Sequence, residues 1–415
     1  MDLSPALVAA LPKVALHDHL DGGLRAATVL ELSRELGLPV PGVDEAGPAA
    51  TGEAVPGAGS DVDAVANWFH AAADSGSLPE YLSTFEHTVA LMQTAPQLRR
   101  IAREFVEDMA ADGVVYAETR WAPHQHTAGG LTLDEAVQAV QDGLDEGVAA
   151  AAQSGRRIVV GQLLCYLRHL EPSDDLVDIA IARRGTGVLG LDLAGPEAGF
   201  PASWFRAQFE RAREHGVRVT IHAGEAEGPS SIADALDCGA ERIGHGVRLL
   251  EDIDQDAAAA DGTVPEDLPA TGGRATFPGF GHIAARVHAE QICLEMCPSS
   301  NLQTGGAADF ASHPVGPLHR LGFAIALSSD NRLMSRTRTS REMLLVAQTF
   351  DWSLTGLEQV VLTGLVAGFA PADVRQALRD EVVLPAFRAV READQHLDEH
   401  PDRATGPDPE EKLEI

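Results

Sequence analysis

The chain has 415 residues, 45% of them hydrophobic, and a formal net charge of −31 at pH 7. That apolar content supplies a sizeable core, and although the length suits two or three domains, an α/β barrel with insertions reaches it as one. The charge excludes nucleic acid and anionic membranes as partners, because either would meet a surface of its own sign.

The N-terminus, MDLSPALVAALPK, lacks the basic start and long apolar core of a signal peptide. No stretch reaches the roughly 18 apolar residues of a membrane span. Cys165, Cys238, Cys293 and Cys297 include one C-x3-C but no second pair to complete a zinc knuckle. They read as buried free thiols, and the expected location is a reducing cytoplasm.

Eight short apolar or β-branched runs succeed one another: VALHDH (14–19), VVYAETR (114–120), IVVGQLLCYL (158–167), VLGLDLAG (188–195), VRVTIHAG (217–224), RIGHG (242–246), ICLEMCPSSN (292–301) and FAIALSSDN (323–331). Runs of this kind are strands covered on both faces of a parallel sheet. Helical patterns lie between most of them, such as SWFRAQFERAREHG (203–216) and SSIADALDCG (230–239), the latter with Ser at its expected N-cap. The expected fold is α/β, a (β/α)8 TIM-type barrel with extra helices after the first strand, among them QLRRIAREFVEDMAADG (97–113). An open doubly wound sheet is the alternative, but no G-x-G-x-x-G follows the first strand. Residues 1–398 are expected to form one domain, with Gly/Pro-rich loop insertions at 38–63 and 254–281 and an acidic, frayed tail at 399–415.

Reactive groups of such a barrel project from the C-terminal ends of the strands. Those ends hold His17, His19 and Asp21, then Gly195, then His222 and Glu225, then His245, then Asp330 and Asn331. In a strand, residues i and i+2 share a side, so His17 and His19 can face one metal while Asp18 faces away and is structural. H-x-H alone is weak: His124-Gln125-His126 repeats the spacing in a polar loop and reads as solvated. Convergence strengthens the case, because His222 and Asp330 end two further strands. Three imidazoles and one carboxylate suit zinc, and room for a water would make the site catalytic. Only Lys13 and Lys412 are lysines, so no lysine can bridge a second metal from mid-barrel, and one zinc per chain is expected.

Glu225 has two readings: a carboxylate near the start of the next helix, or a general acid beside the metal, kept protonated by burial. His245, between two glycines, is either a packed histidine or a group that orients the metal's hydroxide.

Taken together, PKVALHDHLDGG, LAGPE, HAGE, ERIGHGVRL, LEMCPSSN and LSSDNRLMS resemble the adenosine deaminase family of the amidohydrolase superfamily, in the family's order and over most of the chain. The DNRLMS form resembles actinobacterial members. The resemblance implies hydrolytic deamination of adenosine, and of 2′-deoxyadenosine, to inosine-type product and ammonia in purine salvage. It implies His17, His19, His222 and Asp330 as zinc ligands. Glu225 would protonate purine N1, and His245 and Asp330 would position the hydroxide that adds to C6. His19, Asp21, Gly195 and Asn331 would meet the substrate, Gly195 through its N–H to N3 and Asp21 at the ribose 5′-hydroxyl. A 5′-phosphate would face Asp21, which disfavours AMP. Many family members carry a second aspartate where Asn331 stands, and an amide donates to N7 at any pH. A modified adenosine, aminodeoxyfutalosine or adenine, or another mononuclear hydrolysis, is the alternative. Cytidine-type deaminases are excluded, since their P-C-x-x-C is missing. The oligomeric state is left open.

Overall fold

Parallel strands need crossover connections long enough for a helix, and this chain provides them in regular alternation. The computed structural model describes residues 3–44, 60–260 and 278–399. Its strands are β1 (Lys13–His19), β2 (Val114–Trp121), β3 (Val159–Leu167), β4 (Val188–Ala194), β5 (Arg218–Ala223), β6 (Arg242–His245), β7 (Cys293–Met296) and β8 (Ile325–Leu327). They form one eight-stranded sheet in sequence order, all neighbours parallel. A parallel bridge between Asp18 and Asp330 returns β8 to β1. There the His19 N–H donates to the Asp330 carbonyl at 2.7 Å, and the Asp330 N–H to the His17 carbonyl at 2.9 Å. The fold is the expected (β/α)8 barrel.

Three local expectations are corrected. The seventh run is a strand only to Met296, because Pro298, lacking an N–H, opens a helix Pro298–Gln303. The eighth run pairs as strand only over Ile325–Leu327, and left-handed Asp330 (φ 60°) turns the backbone out of the β conformation. The helix predicted to be capped by Ser230 starts at Pro229 with Gly228 as N-cap, and within its first turn Ser231 donates to Glu197 Oε1 at 2.5 Å.

The excursion after β1 carries helices Ala26–Leu36, Asp61–Ala73, Leu78–Ser83, Phe85–Ala90 and Ala95–Ala111. Most of the predicted insertion at 38–63 lies outside the described residues; its end, Ser60 and Asp63, forms the capping box of helix Asp61–Ala73. Of the second insertion, residues 261–277 lie outside, and Gln255–Ala260 is helical rather than loop. The predicted tail lies outside from residue 400. Among the described residues no helix is long and apolar enough to cross a membrane. All four cysteines are free and buried.

The barrel interior is not wholly apolar. Arg120 donates to Asp192 Oδ2 at 3.1 Å and to Glu295 Oε2 at 2.7 Å. Arg242 donates to Glu295 Oε1 and to Glu118 Oε2, both at 2.5 Å, and lies 3.6 Å from the Phe369 ring centroid. All five charged side chains are buried. Removing one member of a buried ion network strands its partners, which costs more than the network contributes as a whole. Arg242→Met is therefore expected to lower the unfolding free energy by about 3–5 kcal/mol. The check is the urea midpoint, read together with the m-value.

Candidate active site

The strand ends do converge. His17 and His19 leave β1 on one side, and both meet His222 from β5: the His17 and His222 ring centroids are 4.6 Å apart, and His19 Nε2 lies 3.2 Å from His222 Nε2. Asp330 Oδ1 lies 3.4 Å from both His17 Nε2 and His19 Nε2. Asp18, facing away, accepts from Arg332 Nε at 3.1 Å and Ser329 Oγ at 2.7 Å.

Two carboxylates decide which nitrogens face inward. Glu295 Oε2 sits 3.0 Å from His17 Nδ1, and Asp192 Oδ1 sits 3.1 Å from His222 Nδ1. A carboxylate accepts only, so each Nδ1 carries the hydrogen and each Nε2 presents a lone pair to the centre. His17 Nε2 is buried there with no hydrogen-bond partner. Lone pairs of His17, His19 and His222 crowded against a carboxylate repel one another unless a cation lies between them. The three imidazoles form a group able to hold a metal ion. Burial and Arg120 oppose charge on His17, yet Asp330 and Glu295 raise its pKa above 6.5, so this spot favours positive charge. Burial would raise the pKa of Asp330, but His17, His19 and His245 hold it well below the usual carboxylate range.

His19, Asp21, Gly195, His222, Glu225, His245, Asp330 and Asn331 all line one cavity of about 140 Å³, with His17 beneath. Leu78, Tyr81, Leu82 and Phe85, from the excursion after β1, supply its apolar wall. A larger groove of about 1180 Å³ opens among residues that precede β5, β6 and β7, including Gly216, Gly239 and Ile292. It holds none of these groups, so the smaller cavity is the candidate site. A Cβ on Gly22 would run into Asn331 Oδ1, so the glycine after Asp21 lets Asn331 close over the turn. Gly244 serves packing rather than ligand approach, since a Cβ there would come within 3.1 Å of His17 Cε1.

Glu225 does not cap the following helix. Its carboxyl lies 3.6 Å from His245 Nε2. Burial first, then the charges of Asp330 and Glu197, raise its pKa well above 4.5. Burial and the imidazoles of His17 and His222 push His245 well below 6.5, so it is neutral.

The polar-loop reading of His124-Gln125-His126 is corrected for His126. Pro123–His126 forms a 3₁₀ turn that tucks His126 against Trp121, with ring centroids 5.3 Å apart. Its Nδ1–H donates to the Met92 carbonyl at 3.1 Å, and Nε2 lies 3.7 Å from Asp21 Oδ2.

A family model described as "Adenosine deaminase" matches residues 12–385. Adenosine deaminase 1 of Streptomyces coelicolor is 43% identical over 392 residues, covering 94% of this chain and 90% of its own length. The adenosine deaminase of Mycolicibacterium vanbaalenii is 44% identical over 377 residues, covering 91% and 95%. The chain belongs to the adenosine deaminase family. Membership makes it a hydrolytic deaminase. Among solved structures, an amidohydrolase from Burkholderia ambifaria with bound zinc superposes with a TM-score of 0.74 at 22% identity, covering 95% of this chain and 96% of that one. The adenine deaminase of Arthrobacter aurescens gives 0.69 at 23%, covering 90% and 98%. At such identities the likeness is one of fold.

Three residues that orient this deaminase's site were not read from the sequence: Asp192, Glu295 and Glu197. Glu197 follows the quoted Gly195 in LAGPE. Its carboxylate accepts from the backbone N–H groups of Gly224, Glu225, Ala226 and Glu227 at 2.7–3.1 Å. It thus clamps the loop that aims Glu225. Glu197→Ala is expected to speed hydrogen exchange at residues 224–227 by about tenfold or more, each lost charged hydrogen bond being worth about 1.5–3 kcal/mol. The amides of β2 should stay protected; if residues 224–227 stay equally protected, Glu197 is no clamp.

Proposed function

We propose that the protein deaminates adenosine and 2′-deoxyadenosine hydrolytically, releasing ammonia, and that one barrel domain (residues 1–398) with a single zinc ion does so in the cytoplasm. The observation that carries this reading is the pairing of a cation-seeking cluster, His17, His19, His222 and Asp330, with the buried Glu225 carboxyl, its pKa raised well above 4.5, in one cavity. The relatives at 42–44% identity support the choice of adenosine. The buried free thiols support a reducing compartment.

The donor set suits zinc: three imidazoles, two of them fixed by carboxylates, and one carboxylate. A bound zinc would lower the pKa of a coordinated water to about 7. The chain's own groups do the rest. Glu225, its pKa raised by burial, gives a proton to purine N1, which draws electrons from C6 and opens it to water. The Gly195 N–H meets N3 and the Asn331 amide donates to N7. Asp21 accepts from the ribose 5′-hydroxyl; its Oδ1 is buried with no partner in the protein. A 5′-phosphate would place like charge against Asp21, so nucleosides are favoured over nucleotides. Leu78, Tyr81, Leu82 and Phe85 exclude bulk water from the base.

Two measurements test this. Metal-replete protein should convert adenosine, followed by absorbance, and a strong chelator should abolish the conversion; no turnover by replete protein rejects the proposal. Glu225→Gln should lower kcat by about two to four orders of magnitude while metal content stays stoichiometric. Retained activity would remove Glu225 from the role of acid.

A further inference from the structure

His245 ends β6 with its Nε2 towards the cavity. Its other nitrogen faces a chain of buried groups that the proposed chemistry does not use. His245 Nδ1 lies 3.1 Å from Asn301 Nδ2, Asn301 Oδ1 lies 3.3 Å from His313 Nε2, and the Val315 backbone N–H meets His313 Nδ1 at 3.0 Å. Asn301, His313 and Val315 are all fully buried.

The direction of every hydrogen in this chain follows from its far end. A backbone N–H can only donate, so His313 Nδ1 must accept. Burial lowers the His313 pKa to about 3, which keeps the ring neutral. A neutral imidazole that accepts at Nδ1 carries its hydrogen at Nε2. That hydrogen needs the carbonyl oxygen of Asn301, which leaves the amide NH2 to face His245 Nδ1. His245 Nδ1 must then accept, and its hydrogen sits on Nε2.

We propose that Asn301 and His313, anchored by the Val315 amide, are positioning residues that lock His245 as the Nε2–H tautomer. His245 is thereby a hydrogen-bond donor into the cavity and not a base. The 3.6 Å between His245 Nε2 and the Glu225 carboxyl is too long for a direct hydrogen bond. An oxygen atom adding at C6 would take that N–H, and the charge it develops would be stabilised as in an oxyanion hole. The consequence for rate rests on the proposed deamination; the tautomer does not.

The test separates the two. In zinc-loaded protein labelled with 15N-histidine, the His245 signals, assigned by difference from His245→Asn, should show hydrogen on Nε2 and a bare Nδ1. Hydrogen on Nδ1 overturns the inference whatever the activity. Asn301→Asp replaces the donor by a carboxylate, which should move the hydrogen to Nδ1 and lower kcat by about 10² to 10³-fold with KM and zinc content unchanged. A moved hydrogen with unchanged kcat also overturns it. If Asn301→Asp does not fold, the His313 pair decides. His313→Gln keeps a donor towards Asn301 Oδ1 and should hold kcat and the Nε2–H signal, whereas His313→Leu should lose both. Equal kcat in the two His313 variants would mean that the chain does not position His245. A wild-type protein that shows the Nε2–H tautomer but deaminates no adenosine rejects the proposed function alone.

Discussion

The barrel's inner ion network is the constraint on which the site depends. Glu295 alone accepts from Arg120, Arg242 and Thr220 and holds His17 Nδ1. Asp192 is shared between Arg120 and His222. Two arginines among Glu118, Asp192 and Glu295 leave the network one unit negative, directly beneath the imidazole cluster. Fully desolvated charges are tolerable only when each is paired and hydrogen-bonded, so the geometry is rigid. That rigidity passes to the imidazoles, because the same oxygens that satisfy the arginines fix the histidine tautomers. Stability of the interior and orientation of the site are therefore one set of contacts.

Backbone conformation supplies the second constraint. His245 and Asp330 both have left-handed φ, 62° and 60°, which L-residues with side chains adopt at a cost of about 1–3 kcal/mol. His245 is the last residue of β6, and Asp330 lies three residues beyond the end of β8. At Asp330 the distorted backbone keeps both hydrogen bonds to β1, through its N–H and carbonyl, while the carboxylate turns across to His17 and His19. The barrel closure and the position of the carboxylate are thus set by one residue.

Much of this was legible in the sequence. The eight apolar runs marked all eight strands, and the period of two separated His17 and His19 from Asp18. The groups at the strand ends fall in one cavity because a closed parallel barrel sends every strand's C-terminal end to the same face. The supporting groups were not legible, for a physical reason. Asp192 and Glu295 are single acids inside apolar runs, and their partners lie 30 to 278 residues away in sequence. No local pattern encodes such a pairing. His126 misled because a Pro-led polar segment normally marks a solvated loop, whereas the Trp121 ring and the Met92 carbonyl give it a buried seat. The helix at Pro229 misled because Pro, with its fixed φ and no N–H, takes the first helical position ahead of Ser230, which leaves Gly228 as the cap.

Two of the cavity's acids, Glu225 and Asp330, show why these supports matter for chemistry. Glu225 and Asp330 are both buried, and burial alone would protonate both. Asp330 escapes because three imidazoles surround it, which keeps it ionised and able to face a cation. Glu225 has only the neutral His245 ring near it, 3.6 Å away; Asp330 and Glu197 add their repulsion to its desolvation, and Thr304 and Arg168 offset this without reversing it. Environments that drive two carboxyls apart in pKa assign one as acid and the other as anion. Glu197 has a double part in this. Its charge is fixed by four backbone amides, so it cannot relax away from Glu225. The carboxylate that aims Glu225 at the cavity is also one that raises its pKa.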